Sequence, residues 1–320
     1  GSLSSVWVFF RAELLRHGYE VVGTVRSASK TTQTTSAIAT VAPVDNLSFA
    51  EADLLSDTGW DEAMAGCTYV IHVASPFVMA EPKDEKELIT PAVDGTRRVV
   101  QAAQRAGVSR LVLTSSIFAM IAGKDSGRYG PDSWSDTDAD IGAYAKSKTL
   151  AERAAWDING NDTMELTVIN PGGVSGPPLS AQADSSSVAM MSDMINGKMP
   201  MLPDLALNMV DVRDVARLHV TALTAPHAAG QRFIAATSEP VEFATTAAIL
   251  KQAGYSKVST RKAPTVVLRL MSLFSREAKG LLPMLGKKII LDTTSTSEIL
   301  EWQPTSMEDS VMDMAASLSK

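Results

Sequence analysis

Cysteine is almost missing from this chain of 320 residues. Cys67 stands alone, so no intrachain disulfide can form, and no grouping of cysteine with the four histidines has the spacing of a metal site. Positive charge is also in short supply. The 29 lysines and arginines are outnumbered by 36 acidic residues for a net charge of -7, the opposite of the cationic surface that grips a phosphate backbone, and nucleic acid is excluded as a natural partner. No apolar run is long enough to cross a bilayer, and no basic, apolar, small-residue leader opens the sequence. The expected location is the cytoplasm. Internal repeats, low-complexity stretches and Pro- or Ser-rich linkers are absent as well. What remains is an ordinary globular composition, 45% hydrophobic and 20% charged, with enough chain for one large domain carrying a substantial lobe.

Hydrophobic period supplies the architecture. Residues 19–25 (YEVVGTV), 68–73 (TYVIHV), 110–114 (RLVLT) and 166–169 (LTVI) are β-branched and mostly apolar runs, the pattern of strands buried on both faces of a parallel sheet. The last runs into Asn170-Pro171, a strand-to-loop boundary. Between them, Ala92 to Ala106 places Val93, Thr96, Val99, Val100 and Ala103 on one stripe and stops at Gly107, and Ser147 to Trp156 repeats the device with Leu150, Ala151 and Ala154. Strands alternating with helices predict an α/β chain with a doubly wound parallel sheet, whose ligands sit beyond the carboxyl ends of the strands. From about Pro177 the alternation gives way to Met-rich and loop-like sequence and, at 266–285, an apolar helical run. The expected division is a dinucleotide-binding domain over residues 1–176, with 208–236 returning to it, and a smaller discontinuous substrate lobe from 177–207 and 237–320.

The strongest chemical signal is Tyr144-Ala-Lys-Ser-Lys148 opening a helix, preceded by a strand that ends Thr114-Ser115-Ser116. Tyrosine and lysine four apart share a helix face, so an ammonium can favour ionisation of the phenol. A phenol with an ordinary pKa of about 10 needs such help to serve as a proton donor near neutrality. In that arrangement Tyr144 protonates a carbonyl oxygen, a serine hydrogen-bonds the same oxygen, and Lys148 also holds a nicotinamide ribose. A bare Tyr-x-x-x-Lys also decorates many solvated helix faces; here the strand ending in paired serines and the following SKTLAERAAW helix set it apart. At the end of the 19–25 strand stand Arg26, Ser27 and Lys30 with no acid among them. A dinucleotide with a bare ribose is usually met there by a carboxylate, whereas a 2′-phosphate needs cations, so NADPH is the expected cofactor.

Seven stretches carry a wider resemblance: 23–30 (GTVRSASK), 70–77 (VIHVASPF), 91–116, 143–156 (AYAKSKTLAERAAW), 169–178 (INPGGVSGPP), 210–220 (VDVRDVARLHV) and 295–304 (TSTSEILEWQP). Together they cover nearly the whole chain, and the sequence resembles the extended short-chain dehydrogenase/reductases, in particular the branch of dihydroflavonol reductases and fungal ketone, aldehyde and methylglyoxal reductases. The resemblance implies a Rossmann-type fold and carbonyl reduction by hydride transfer, and it puts the catalytic hydroxyl on Ser116 with Ser115 as the fallback. It further implies that Asp53 and Leu54 meet the adenine, that Val73, Ala74 and Ser75 line the middle of the cofactor, that Thr114 is a further cofactor contact, and that Pro171, Gly172, Gly173 and Val174 border the nicotinamide. Phe77, Ile117, Phe118, Tyr144 and Gly172 are the implied substrate contacts. Asp53 reads equally well as a cap of the 57–65 helix, His72 as a packed histidine, and Trp134 as packing in a loop. If some of the Met and Leu residues of 190–201 and 268–285 face the pocket, the substrate is a bulky apolar ketone or aldehyde. The enzyme is expected to be a monomer or homodimer with no metal and no membrane partner.

The start of the chain departs from the family. Relatives open with a strand and a three-glycine turn that lets backbone approach a pyrophosphate; the matching positions here are Gly1, Ser4 and Trp7, and only the first is glycine. Three readings stay open: an N-terminal segment lost or altered, Leu3 to Phe10 serving as the missing strand, or a relative that has given up tight cofactor binding for isomerase, cyclase or lyase chemistry. A non-catalytic dinucleotide sensor is a further class, against which the intact Tyr144 and Lys148 count.

Overall fold

A computed structural model describes residues 5–75, 82–160, 164–179, 186–264 and 285–319. In chain order its elements are α1 (Ser5–Arg16), β1 (Val21–Val25), a 3-10 turn (Ala28–Lys30), α2 (Thr31–Ala39), β2 (Leu47–Glu51), α3 (Trp60–Met64), β3 (Tyr69–His72), α4 (Lys86–Arg105), β4 (Arg110–Thr114), α5 (Phe118–Ile121), β5 (Gly127–Tyr129) and α6 (Ala143–Asn159). They continue with β6 (Glu165–Pro171), β7 (Gly173–Ser175), α7 (Ser186–Ile195), β8 (Ala206–Leu207), β9 (Met209–Asp211), α8 (Val212–Ala222), β10 (Arg232–Ala235), β11 (Val241–Glu242), α9 (Phe243–Gln252), β12 (Ile289–Leu291), α10 (Thr294–Ile299) and α11 (Met307–Leu318).

The main sheet runs β10-β6-β4-β3, all parallel. Because successive side chains on a strand point to opposite faces, each strand feeds two cores. Leu111 and Leu113 of β4 and Leu166 and Val168 of β6 pack with Val99 and Ala103 of α4 and Ala155 of α6. Val112, Ile169 and Phe233 turn the other way, onto Val215 and Leu218 of α8 and Phe9 and Phe10 of α1. Helices thus cover both faces, as a doubly wound α/β chain requires. A further cluster joins Met191 and Met194 of α7, Leu250 of α9 and Met314 of α11, so these methionines are core, while Met201 is 47% exposed.

Three sequence expectations shift in detail, and a fourth falls outside the described residues. The α6 helix begins at Ala143, after Gly142 in a positive-φ conformation, so Tyr144 lies in its first turn. The β6 strand continues through Asn170 to Pro171 because Pro171, which lacks a donor, still pairs by register with Ala235. The apolar run at 266–284 lies outside the described residues. At the start of the chain, the β-branched and aromatic run ending at Phe10 is helical from Ser5 onward rather than a strand. Periodicity overrides propensity there: Val8, Ala12 and Leu15 recur at helical spacing and bury against Val21 and Ile38, while Phe9 and Phe10 face α8. Trp7, one of the three expected glycine positions, is therefore a helical residue, and Gly1 and Ser4 lie outside the described residues. Among the described residues β1 pairs with β2 alone and β3 with β4 alone, so no ladder joins β1 to β3.

Gly59 sets how closely α3 approaches β2. Its φ is +88, and a Cβ there would lie 2.1 Å from the carbonyl oxygen of Glu51. Gly59→Ala is expected to cost about 2–4 kcal/mol in urea unfolding; an unchanged midpoint would show that this approach is looser than described.

Candidate active site at the carboxyl ends of the strands

The β4 strand leaves the sheet through a turn stapled to its neighbour: Ser115 N donates to Ile169 O at 2.8 Å and Ile117 N to Pro171 O at 3.0 Å. Three consecutive hydroxyls then part company. Thr114 Oγ1 lies 2.7 Å from His219 Nε2 on the α8 face. Ser115 turns to the α6 face and donates to Glu152 Oε2 at 2.5 Å. Ser116 accepts Phe118 N–H at 3.2 Å and hydrogen-bonds the phenol of Tyr144. The Phe118 ring meets the Tyr144 ring edge to face, 6.0 Å between centroids. Lys148 is buried one turn further along α6.

The expected trio of Ser116, Tyr144 and Lys148 is thus gathered on one turn and one helix start, and Ser115 is committed elsewhere. Two other expected residues turn inward. Ile117 is 4% exposed and packs with Met120, Ile234 and Leu291. The Thr114 hydroxyl faces His219.

The electrostatics also differ from expectation. Burial raises the Tyr144 phenol, and the hydrogen bond with Ser116 opposes that rise; Lys148 is not among the causes. Burial lowers Lys148 to about 8, Glu152 counters it, and the Lys148 charge adds to burial in lowering His72 to about 3. His72 is 4% exposed and its Nε2 has no hydrogen-bond partner. His219, lowered to about 4 by burial, sends Nδ1 to Val215 O at 2.7 Å. That nitrogen must carry the proton, so Nε2 accepts from Thr114.

The other expected residues occupy the same rim. Gly172 N donates to Ala235 O at 3.0 Å and Gly173 N to Asn208 O at 2.8 Å; a Cβ on Gly172 would lie 2.3 Å from Asn208 O, which explains glycine there. Pro171 is buried at the end of β6, Val174 sits in β7 against the α8-side core, and Val73 packs on that same core with Ala74 and Ser75 following it. At the far end Arg26, Ser27 and Lys30 are exposed after β1, and Ser27 Oγ accepts Ser29 N–H at 3.4 Å. Sequence reasoning missed an acid here: Glu51, at the end of β2, accepts Ala28 N–H at 2.6 Å. Asp53 accepts Leu55 N–H at 3.0 Å and is not the cap of α3, which is Gly59. Leu54 lies under Gly95 of α4. Gly1 and Phe77 lie outside the described residues. A cavity of about 490 Å³ opens at the opposite ends of the strands, between Tyr69, Arg110, Glu165 and Leu223, and shares no residue with this rim.

A model of the NAD dependent epimerase/dehydratase family matches residues 10–236. The chain belongs to that family. Among curated epimerase/dehydratase relatives, a cinnamoyl-CoA reductase of Medicago truncatula is 35% identical over 68% of this chain and 69% of its own length. A putative NADPH-dependent methylglyoxal reductase of Candida albicans is 33% identical over 71% and 73%. Among solved structures, Gre2 of Candida albicans in complex with NADPH superposes with a TM-score of 0.79 at 26% identity, covering 98% of this chain and 95% of that one. The yeast methylglyoxal/isovaleraldehyde reductase shares the fold with a TM-score of 0.82 at 22% identity, over 98% and 95%. The Rossmann-type architecture expected of an epimerase/dehydratase member is the one observed.

The two buried histidines of this family member bear on acid stability. Their folded pKa values lie below the unfolded value of 6.5, so the unfolded chain takes up protons first and stability is lost as pH falls from 6.5 through 4. Thermal unfolding is expected to show that loss, with His219→Gln removing on the order of 2–3 kcal/mol of it; equal pH slopes in both proteins would rule out a neutral buried His219.

Proposed function

We propose that this chain is an NADPH-dependent reductase of ketones or aldehydes borne on apolar small molecules. The observation that carries the reading is the hydrogen-bonded Ser116–Tyr144 pair at the carboxyl ends of the strands, with Lys148 one turn away on α6. The reductases among the curated relatives support redox chemistry over isomerisation.

The residues present fit a dinucleotide. Arg26 and Lys30 stand exposed at the end of β1, where a 2′-phosphate calls for cations, and the close backbone of Gly172 and Gly173 borders the catalytic end. Glu51, at the end of β2, sets an opposing charge beside that loop, so the two cations would hold the phosphate against a nearby carboxylate. Bound NADPH supplies the hydride. Tyr144, kept protonated by burial, hands its proton to the carbonyl oxygen, and Ser116 donates a hydrogen bond to the same oxygen as charge develops on it. Phe118, against the Tyr144 ring, presents an apolar wall to the substrate, and Lys148 holds the nicotinamide ribose.

Tyr144→Phe is expected to lower kcat for a hydrophobic aldehyde by about 10³-fold or more with NADPH affinity and circular dichroism unchanged; retained turnover would remove the phenol from the reaction. Replacing Arg26 and Lys30 together by Ala should weaken NADPH by about tenfold or more and NADH little. Equal losses for the two cofactors, read by fluorescence titration, would take the 2′-phosphate away from this loop.

A further inference from the structure

Glu152 is a buried carboxylate that the proposed chemistry does not use, with its side chain 0% exposed. Strand parity brings it donors from three strands. Leu111 and Leu113 face α6, and two residues on so does Ser115, which donates to Oε2 at 2.5 Å. Leu166 and Val168 face α6, and so does Asn170, whose Nδ2 donates to Oε2 at 3.0 Å and to the Ser116 carbonyl at 3.1 Å. From β10, Arg232 donates Nε to Oε1 at 2.6 Å and a terminal nitrogen to Oε2 at 3.3 Å. Trp156 Nε1 adds a contact to Oε1 at 3.4 Å. Arg232 itself continues outward, donating to Pro131 O and to Ser133 O at 2.7 Å under the ring of Trp134, 3.8 Å from its centroid.

We infer that Glu152, clamped by Arg232, is a positioning residue that holds the Ser116 turn and the Lys148 ammonium in register with Tyr144. Ser116 is fixed from both sides, by Ser115 and by the Asn170 bridge. Lys148 lies one helical turn before Glu152, and that carboxylate is what offsets its burial. The other titratable groups near the lysine are His72 from β3, whose charge couples to it and which is held neutral near pH 7, and Tyr144, one turn before it on α6. The buried positions of α4, packed along α6, are uncharged (Leu88, Ala92, Gly95, Thr96, Val99, Val100), as is all of α5. Asn170 of β6 is neutral, and Arg232 of β10 is a second cation, paired with Glu152. Glu152 is thus the one negative side chain among these neighbours.

The inference deepens the reductase reading and rests on it for the word positioning, but one measurement stands apart from turnover. In the full chain carrying ¹³Cε-lysine, the Lys148 resonance, assigned with Lys148→Arg, is followed through a pH titration by NMR. Glu152→Gln keeps shape and one acceptor and removes the charge; its Lys148 midpoint is expected to fall by about one pH unit or more. In NADPH oxidation with a hydrophobic aldehyde, kcat should fall about 10–100-fold with KM nearly unchanged, the basic limb of the pH profile should move down with the lysine midpoint, and Glu152→Asp should restore that limb. An unmoved lysine midpoint overturns the inference, as does a lower kcat with an unmoved basic limb. If Glu152→Gln does not fold, Ser115→Ala tests the turn alone: a several-fold fall in kcat at a constant basic limb is expected, and an unchanged kcat overturns the positioning of Ser116. Absence of carbonyl turnover in the unmodified chain sinks the reductase reading, while the NMR midpoint still decides for or against Glu152.

Discussion

Alternation along the parallel strands is the constraint on which the rest of this structure depends. Because a strand offers one residue to each face in turn, a run such as Arg110–Thr114 builds two cores at once and then, with the same rhythm, hands its polar end residues to different partners. Thr114 goes to the α8 side and Ser115 to the α6 side, and only where the rhythm breaks, at Ser116, is a hydroxyl free to meet Tyr144. The chemistry begins where the pleat stops.

That rhythm was legible in the sequence to a useful degree. Uninterrupted apolar runs identified the inner strands, Gly107 closed α4 as expected, and Tyr144 with Lys148 announced itself by spacing. Two things were out of reach. Charge partners depend on which elements lie side by side, so nothing local in 148–152 revealed that Arg232, eighty residues on in the chain, would clamp the carboxylate that answers the ammonium. Glu51 was missed for the same reason, since it reaches the 26–30 loop across a strand pair. The local signal for Glu152 was slight: an acid one turn after the lysine, on a face it shares with Ala145, Thr149 and Ala155.

The first helix teaches the opposite lesson. Valine, tryptophan and phenylalanine at 6–10 favour a strand when judged by type, and Ser5–Arg16 is nonetheless helical because its apolar residues face two neighbours, α8 and the β1–α2 corner, at helical spacing. Composition ranks possibilities; burial chooses between them.

The lack of a ladder between β1 and β3 has a consequence for motion. Among the described residues, backbone pairing binds β1 to β2 but not to the main sheet, and side-chain packing through α1, α3 and α4 joins the two. Cooperative units of a fold open at different free energies, and the unit carrying Arg26 and Lys30 can open without breaking any hydrogen bond between the strands that hold Ser116 and Asn170. The β1–β2 unit is therefore built as a separable foldon, whose amides are expected to exchange with deuterium ahead of those around Ser116, and a dinucleotide bound as proposed would be the link that makes them exchange as one.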